Sequence, residues 1–362
     1  MVKPQKGFWI LFVGYPSTYI YRATSLCVNV GVSDREREKE KAREKRMGEA
    51  DHIQEIPFLE FPGDDLDLEQ ESEEWKGLRS KVREACETYG CFGLVCDAIP
   101  AKLRQEMFMV MKTLFDLPEE TKKKHSSTKP YHSYQGKCPI VPLLESFGID
   151  DAPQPQAAQA FTNLLWPEGN PAFCGALISM ATKMLELNFI VLKLILESLG
   201  MEKYYNSQKE NSASVFRLMK YTVPPSNDSA IGLVTHTDKN ILTILCQNEV
   251  QGLEVLSKEG NWIRLNFCKD SFIVIIGDLL KAWTNGRLHA VRHRVVMNGD
   301  KDRYSCGMFV LPGDTVTIEV PEELVDNDHP LRYRPFTYSD YMSFFTSNIC
   351  DDALEVYAGV RS

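Results

Sequence analysis

Over residues 213–320 the spacing of apolar residues drops from a helical 3.6 to an extended 2. This change constrains the fold more than any other feature of the 362-residue chain. SVFRLMKYTV, ILTILCQ, GLEVL, WIRLNF, SFIVIIGD, HAVRHRVVM, YSCGMFVL and TVTIEV read as eight short strands. Turn signals separate them at Pro224-Pro225, Asn261, Asn285-Gly286, Asn298-Gly299 and Pro312-Gly313. Short strands at such even spacing predict a double-sheet β architecture of the jelly-roll kind.

The residues before this stretch read as helices. Leu78, Val82 and Ala85 recur at helical spacing between Glu74 and Tyr89, and Gly90 ends that helix before a short buried strand, CFGLV. Pro100 opens a second helix, which carries Leu103, Met107, Val110, Met111 and Leu114 on one face and closes at Pro118. Residues 129–172 are rich in Pro, Gln, Gly and Ala and read as loop and irregular strand. Residues 175–199 form one long helix, whose stripe of Leu177, Met180, Met184, Leu187, Val191, Leu194 and Leu199 predicts a core face. A short amphipathic helix is expected over Tyr338–Phe345. The expected class is therefore α+β, with a double-stranded β-helix (jelly-roll) core, N-terminal helices and a long supporting helix.

The domain reading takes residues 1–46 as an extension outside the fold, because DREREKEKAREKR at 34–46 reads as a solvated charge run. Residues 47–172 form the helical N-terminal region, 173–348 the core with its supporting helix, and 349–362 the C-terminal tail. Lys3 and Lys6 before Phe8–Val13 faintly resemble a signal peptide, but the apolar run is short and no clear cleavage site follows. The longest apolar run elsewhere, Phe189–Leu196, is broken by Lys193 and falls short of the roughly 18 residues of a membrane span. A net charge of -9 gives no electrostatic footprint for nucleic acid. Ten cysteines contain no C-x-x-C pair, and the spacing of five between Cys86, Cys91 and Cys96 matches no metal pattern. They read as reduced thiols of a cytoplasmic protein. A monomer with no nucleic-acid or membrane partner is expected.

Of seven histidines, only His236 has an acidic residue two places on, Asp238. With 50 acidic residues in the chain, about one such match arises by chance, so the motif alone carries little. Context adds more. His236 and Asp238 follow a Gly232-containing turn, lead into ILTILCQ, and at i and i+2 on extended chain share a face. A second histidine from a distant strand would complete a 2-His-1-carboxylate facial triad, which leaves open positions on an Fe(II) ion. His289 and His293 are both candidates. On one strand they would lie about 13 Å apart, so one metal cannot take both.

NGRLHAVRHRVV resembles the NGR-x-x-S-V-x-HRV segment of plant 2-oxoglutarate/Fe(II)-dependent dioxygenases. The resemblance implies that His293 is the metal histidine and that His289 occupies a position that is usually lysine. Ten residues on, Arg303-Tyr304-Ser305 matches the family's R-x-S, which implies that Arg303 and Ser305 hold the distal carboxylate of 2-oxoglutarate. ACETYGCFGLV and RPFTYSDY resemble the family's N-terminal segment and C-terminal helix, so the likeness spans roughly residues 53–348. Tyr221 matches a tyrosine that contacts 2-oxoglutarate, whereas Met219 stands where many members have asparagine. FRLMKY and HTDKNILTIL are most similar to the AOP-type branch, of which auxin-oxidising dioxygenases are close relatives.

The resemblance implies an oxidoreductase that couples conversion of 2-oxoglutarate and O2 to succinate and CO2 with oxidation of a small specialised metabolite or hormone. Ascorbate is expected to support turnover. Phe309 falls on a position that often faces the substrate, and Lys239, beside the metal carboxylate, would meet an acidic group. The rival readings are a zinc hydrolase on the same three ligands, which needs neither Arg303 nor Ser305, and an inactive metal-binding module.

Overall fold

The computed structural model describes residues 55–61, 72–225, 230–268 and 271–360. The reading of residues 1–46 as an extension lies outside the described residues. From Ile56 onward the chain forms one compact unit.

Thirteen strands are present among the described residues: β1 (Phe58–Glu60), β2 (Cys91–Val95), β3 (Leu144–Asp150), β4 (Ser212–Tyr221), β5 (Ala230–His236), β6 (Leu242–Gln247), β7 (Leu253–Leu256), β8 (Trp262–Arg264), β9 (Ser271–Ile276), β10 (His293–Met297), β11 (Arg303–Pro312), β12 (Thr317–Ile318) and β13 (Phe336–Thr337). Seven of them form a large sheet in the order β1-β2-β9-β6-β11-β4-β3, and four form a smaller sheet in the order β5-β10-β7-β8. Apart from the parallel β1–β2 edge, the ladders in both sheets are antiparallel. This is the jelly-roll architecture expected from the strand spacing.

Alternation along the strands sorts the large sheet into two faces. Phe216, Leu218, Ile244, Cys246, Val274, Cys306 and Met308 join a core shared with the helices. Met219, Tyr221, Leu245, Ile273 and Ile275 face the other way, and with Leu253, Val255, Val295 and Met297 of the small sheet they form a second core between the sheets. A sheet buried on both faces needs apolar residues at nearly every position, and all six residues of β9 are buried.

The long helix runs Pro171–Ser198, with Asn170 capping the Phe173 amide. By length and composition alone it is apolar enough to cross a membrane, contrary to the sequence reading of that stretch. Its stripe is instead buried against the large sheet, which accounts for its composition.

Several boundaries differ from the sequence reading. The stretch 129–172 contains β3 and a helix, Pro155–Leu165, whose Ala158, Phe161, Thr162 and Leu165 are buried. The supposed turn around Gly232 is the interior of β5. SFIVIIGD ends as a strand at Ile276, and Asp278–Trp283 turns helical. TVTIEV contributes only the two residues of β12, which pair with β13 outside the two sheets. The C-terminal residues carry a helix, Ala353–Ala358, with Leu354 buried, and Tyr333 bridges to Gly359. The expected helix near Tyr338 is present as Tyr338–Ser347.

Candidate active site

β5 and β10 pair antiparallel and set His236 directly opposite His293. Their imidazole centroids lie 4.2 Å apart. Just past the end of β5, Asp238 directs Oδ1 at both rings, 3.8 Å from His236 Nε2 and 3.7 Å from His293 Nε2. One donor atom from each of the three residues lies within 4.8 Å of the others, the only such cluster among the described residues.

Each donor is oriented by a second contact. Asp238 Oδ2 accepts from Thr243 Oγ1 at 2.6 Å, which leaves Oδ1 for the histidines. His236 Nδ1 faces the Val234 carbonyl at 2.8 Å and His293 Nδ1 faces the Val291 carbonyl at 3.2 Å. With Nδ1 donating to those carbonyls, each Nε2 keeps its lone pair. Burial, and then the adjacent His293 ring, push the His236 pKa well down, favouring the neutral form that ligates metals. Two imidazoles and one carboxylate on one side of a shared point are the donor set of a non-haem Fe(II) site, so these residues fit that ion.

Arg303 begins β11 and is 1% exposed. Its Nε and Nη2 both donate to Gln247 Oε1, at 3.2 and 2.6 Å, and its guanidinium carbon lies 5.0 Å from the Tyr221 ring centroid. Nη1 is buried with no acceptor. Tyr221 is directly paired with Arg303 across β4–β11, and Ser305 is the next inward residue on β11. A buried cation with one idle donor fits a carboxylate such as that of 2-oxoglutarate. The structure thus brings Arg303, Ser305 and Tyr221 to one end of the inner face. Met219 is the cross-strand partner of Ser305, and the Tyr221 hydroxyl lies 3.8 Å from its sulfur.

Phe309 lies farther along the same face of β11 and is half-buried. Lys239 is not brought to this face, which corrects its reading as a substrate contact. Its ammonium is buried, 2.9 Å from Asp278 Oδ2 and 2.6 Å from Thr237 Oγ1, and lies over the Phe345 ring. Its acidic partner is in the chain itself. His289 lies before β10 rather than on it, so the same-strand argument does not apply. Its amide donates to Cys86 O, and its side chain lines a surface cavity with Lys258, Lys281 and Arg292.

Sequence reasoning missed Gln247 and Thr243, the residues that orient Arg303 and Asp238. Both are neutral polar residues of the otherwise apolar strand β6, with no motif around them. The one available signal was their inward register with Ser305 and Phe309.

The comparisons agree with this geometry. Residues 212–312 match the 2OG-Fe(II) oxygenase superfamily, and residues 61–168 match the non-haem dioxygenase in morphine synthesis N-terminal family. A probable 2-oxoglutarate-dependent dioxygenase AOP1.2 of Arabidopsis thaliana is 40% identical over 312 residues, covering 84% of this chain and 95% of that protein. The rice dioxygenase for auxin oxidation is structurally similar, with a TM-score of 0.72 and 31% identity over 84% of this chain and 100% of that one. The 2-oxoglutarate complex of an Arabidopsis thaliana dioxygenase for auxin oxidation has a TM-score of 0.69 and 29% identity over 76% of this chain and 100% of that one. On this similarity, which extends over most of its length, the chain belongs to the 2-oxoglutarate/Fe(II)-dependent dioxygenases and is an oxidoreductase that takes Fe(II) and 2-oxoglutarate.

Proposed function

We propose that His236, Asp238 and His293 hold the Fe(II) and that Arg303, with Ser305 and Tyr221, takes the distal carboxylate of 2-oxoglutarate. The substrate is a small specialised metabolite or hormone, as auxin is for the two solved neighbours. The observation that carries the reading is the idle, buried Nη1 of Arg303 on the inner face that the three metal-type donors border.

When bound, iron supplies the O2 chemistry that couples loss of CO2 from 2-oxoglutarate to oxidation of a substrate carbon. The chain's own part is positional. Gln247 fixes the guanidinium plane so that Nη1 projects toward the incoming carboxylate. The Tyr221 ring, 1% exposed, covers that pair from solvent and strengthens it. Thr243 fixes which carboxylate oxygen of Asp238 meets the metal. A zinc hydrolase would have no use for a buried arginine with a free donor at this place.

We assign the protein to the cytoplasm on the nine unpaired thiols among the described residues. Incubation with Fe(II), 2-oxoglutarate, ascorbate and a panel of plant metabolites should yield succinate that rises with one substrate class. Turnover that needs no 2-oxo acid, or that Zn(II) supports in place of Fe(II), would overturn the reading.

A further inference from the structure

Asn240 sits in the bend between β5 and β6, two residues past Asp238, and is 2% exposed. Its Nδ2 donates to Thr243 Oγ1 at 2.7 Å and to the Leu242 carbonyl at 3.2 Å. Its Oδ1 is buried and meets no donor. A carbonyl oxygen can only accept, so the Leu242 carbonyl fixes which end of the amide faces this way. The fully buried Thr243 hydroxyl then accepts from Nδ2, and its single proton is left for Asp238 Oδ2, 2.6 Å away. Turned over, the amide would set Oδ1 against the Leu242 carbonyl and draw the Thr243 proton away from Asp238.

The bend does not need this side chain to keep its shape. Three consecutive amides pin it from the strand-to-helix junction after β9. Gly277 N donates to Ile241 O at 3.1 Å, Asp278 N to Asp238 O at 2.8 Å and Leu279 N to Asn240 O at 3.0 Å. The surroundings nevertheless leave room for the amide. A β-carbon on Gly277 would lie 2.0 Å from the Asn240 carbonyl oxygen and 2.3 Å from Oδ1. An unpaired amide oxygen in a buried place is unfavourable, and a leucine of similar size would avoid it. A side chain that burdens the fold and yet has space kept for it serves something other than the fold.

We propose that Asn240 is a positioning residue of the metal site. It directs the Thr243 proton onto Asp238 Oδ2 and so keeps Asp238 Oδ1 turned to His236 and His293. The relay from Asn240 through Thr243 to Asp238 runs between buried groups, where each hydrogen bond polarises the next. The proposal rests on the Fe(II) reading of the site and goes beyond it, because it ties metal affinity to a residue with neither a charge nor a place among the ligands.

The test is a double-mutant cycle on Fe(II) affinity, titrated anaerobically with Asn240→Leu, Thr243→Val and the double variant. Asn240→Leu should weaken Fe(II) binding about threefold to tenfold. In the Thr243→Val background the same substitution should change it by less than about twofold, because the hydroxyl that carries the effect is gone. The urea midpoint of the metal-free protein should stay level or rise in Asn240→Leu, since the orphaned oxygen leaves with the amide. A merely structural residue would show the reverse: lower metal-free stability, and an Fe(II) effect that is the same with or without the hydroxyl. Asn240→Ala is measured alongside, so that a poor fit of leucine cannot decide the outcome. Unchanged Fe(II) affinity in both variants, an effect undiminished in the Thr243→Val background, or a metal-free protein destabilised or unfolded in both would overturn the proposal. A wild type that binds no Fe(II) would instead overturn the reading of the site itself.

Discussion

Arg303 and Gln247 share a single acceptor: two guanidinium nitrogens converge on Gln247 Oε1 while the third, Nη1, is left buried with nothing to bond. Gln247 is itself tethered, its amide nitrogen donating to Val250 O and Gln251 Oε1. Its acceptor is thus turned to the arginine before any ligand arrives, and the guanidinium plane is set in advance. This is preorganisation for a carboxylate, since ordering the cation costs nothing further at binding.

Removing that cation should cost affinity for 2-oxoglutarate and little else. A charge-assisted contact is worth about 1.5–3 kcal/mol, more if its partner is left unpaired. At about 1.4 kcal/mol per decade, Arg303→Ala should raise half-saturation by 2-oxoglutarate roughly tenfold to a hundredfold or beyond. Arg303→Lys should rescue only partly, because a point charge replaces the planar fork. Succinate formation against 2-oxoglutarate concentration measures this, with iron content as the control. An unchanged half-saturation would exclude Arg303 as the cosubstrate anchor.

At the metal, a triad has no spare ligand. His236→Ala, Asp238→Ala and His293→Ala should each abolish turnover and Fe(II) retention, while His289→Ala keeps most of both. Thr243→Val deletes the donor that holds Asp238 Oδ2 and should weaken Fe(II) binding about tenfold to a hundredfold without abolishing it. Iron content after dialysis reads each variant. A dead His289→Ala beside an active His293→Ala would reverse the assignment of the third ligand.

What could be read from the sequence followed the strength of the local signal. β4, β6, β9 and β11 were visible because both their faces are buried and their runs are nearly continuous. β5 was not, because Ile231 and Val234 are exposed on an edge strand and Gly232 mimics a turn. The Pro155–Leu165 helix was hidden by the prolines, glutamines and alanines around its start. At the site, the spacing of His236 and Asp238 could be picked out, whereas the choice of His293 over His289 and the interest in Arg303 came only from the family resemblance. Neutral Gln247 and Thr243 could not: Gln247 meets Arg303 only through pairing between strands distant in sequence, and Thr243, though five residues from Asp238, is a lone hydroxyl with no motif to mark it. Lys239 misled because adjacency in sequence to Asp238 says nothing about which way a side chain turns.

Acid should weaken the fold through His289. Burial, then the positive charges of Lys258 and Lys281, lower its pKa from 6.5 to about 4, with Glu355 opposing. The fold therefore favours the neutral ring, while the unfolded chain takes up a proton near 6.5. The stability this contributes is full above pH 6.5 and is lost as pH falls toward about 4. His289→Gln should flatten the fall in urea midpoint across that window relative to wild type. Parallel slopes in the two proteins would contradict the depressed pKa.

Beneath the metal-type residues lies a closed polar network whose failure should appear as lost stability rather than lost recognition. Asp278, 3% exposed, accepts from Lys239 Nζ at 2.9 Å, Tyr341 Oη at 2.7 Å and Thr237 Oγ1 at 3.2 Å. Its own amide donates to the Asp238 carbonyl at 2.8 Å, so the network fixes the backbone that carries Asp238. Lys239→Met leaves a buried carboxylate facing only neutral donors, and breaking such a pair from one side costs about 3–5 kcal/mol. Adding Asp278→Asn removes the stranded charge, so the double variant should be more stable than the two single losses predict, by about 0.5–3 kcal/mol of coupling. Chemical denaturation of all four proteins measures the cycle. Lys239→Met with wild-type stability but a raised KM for the organic substrate would instead restore Lys239 as a substrate contact, against the inward turn seen here.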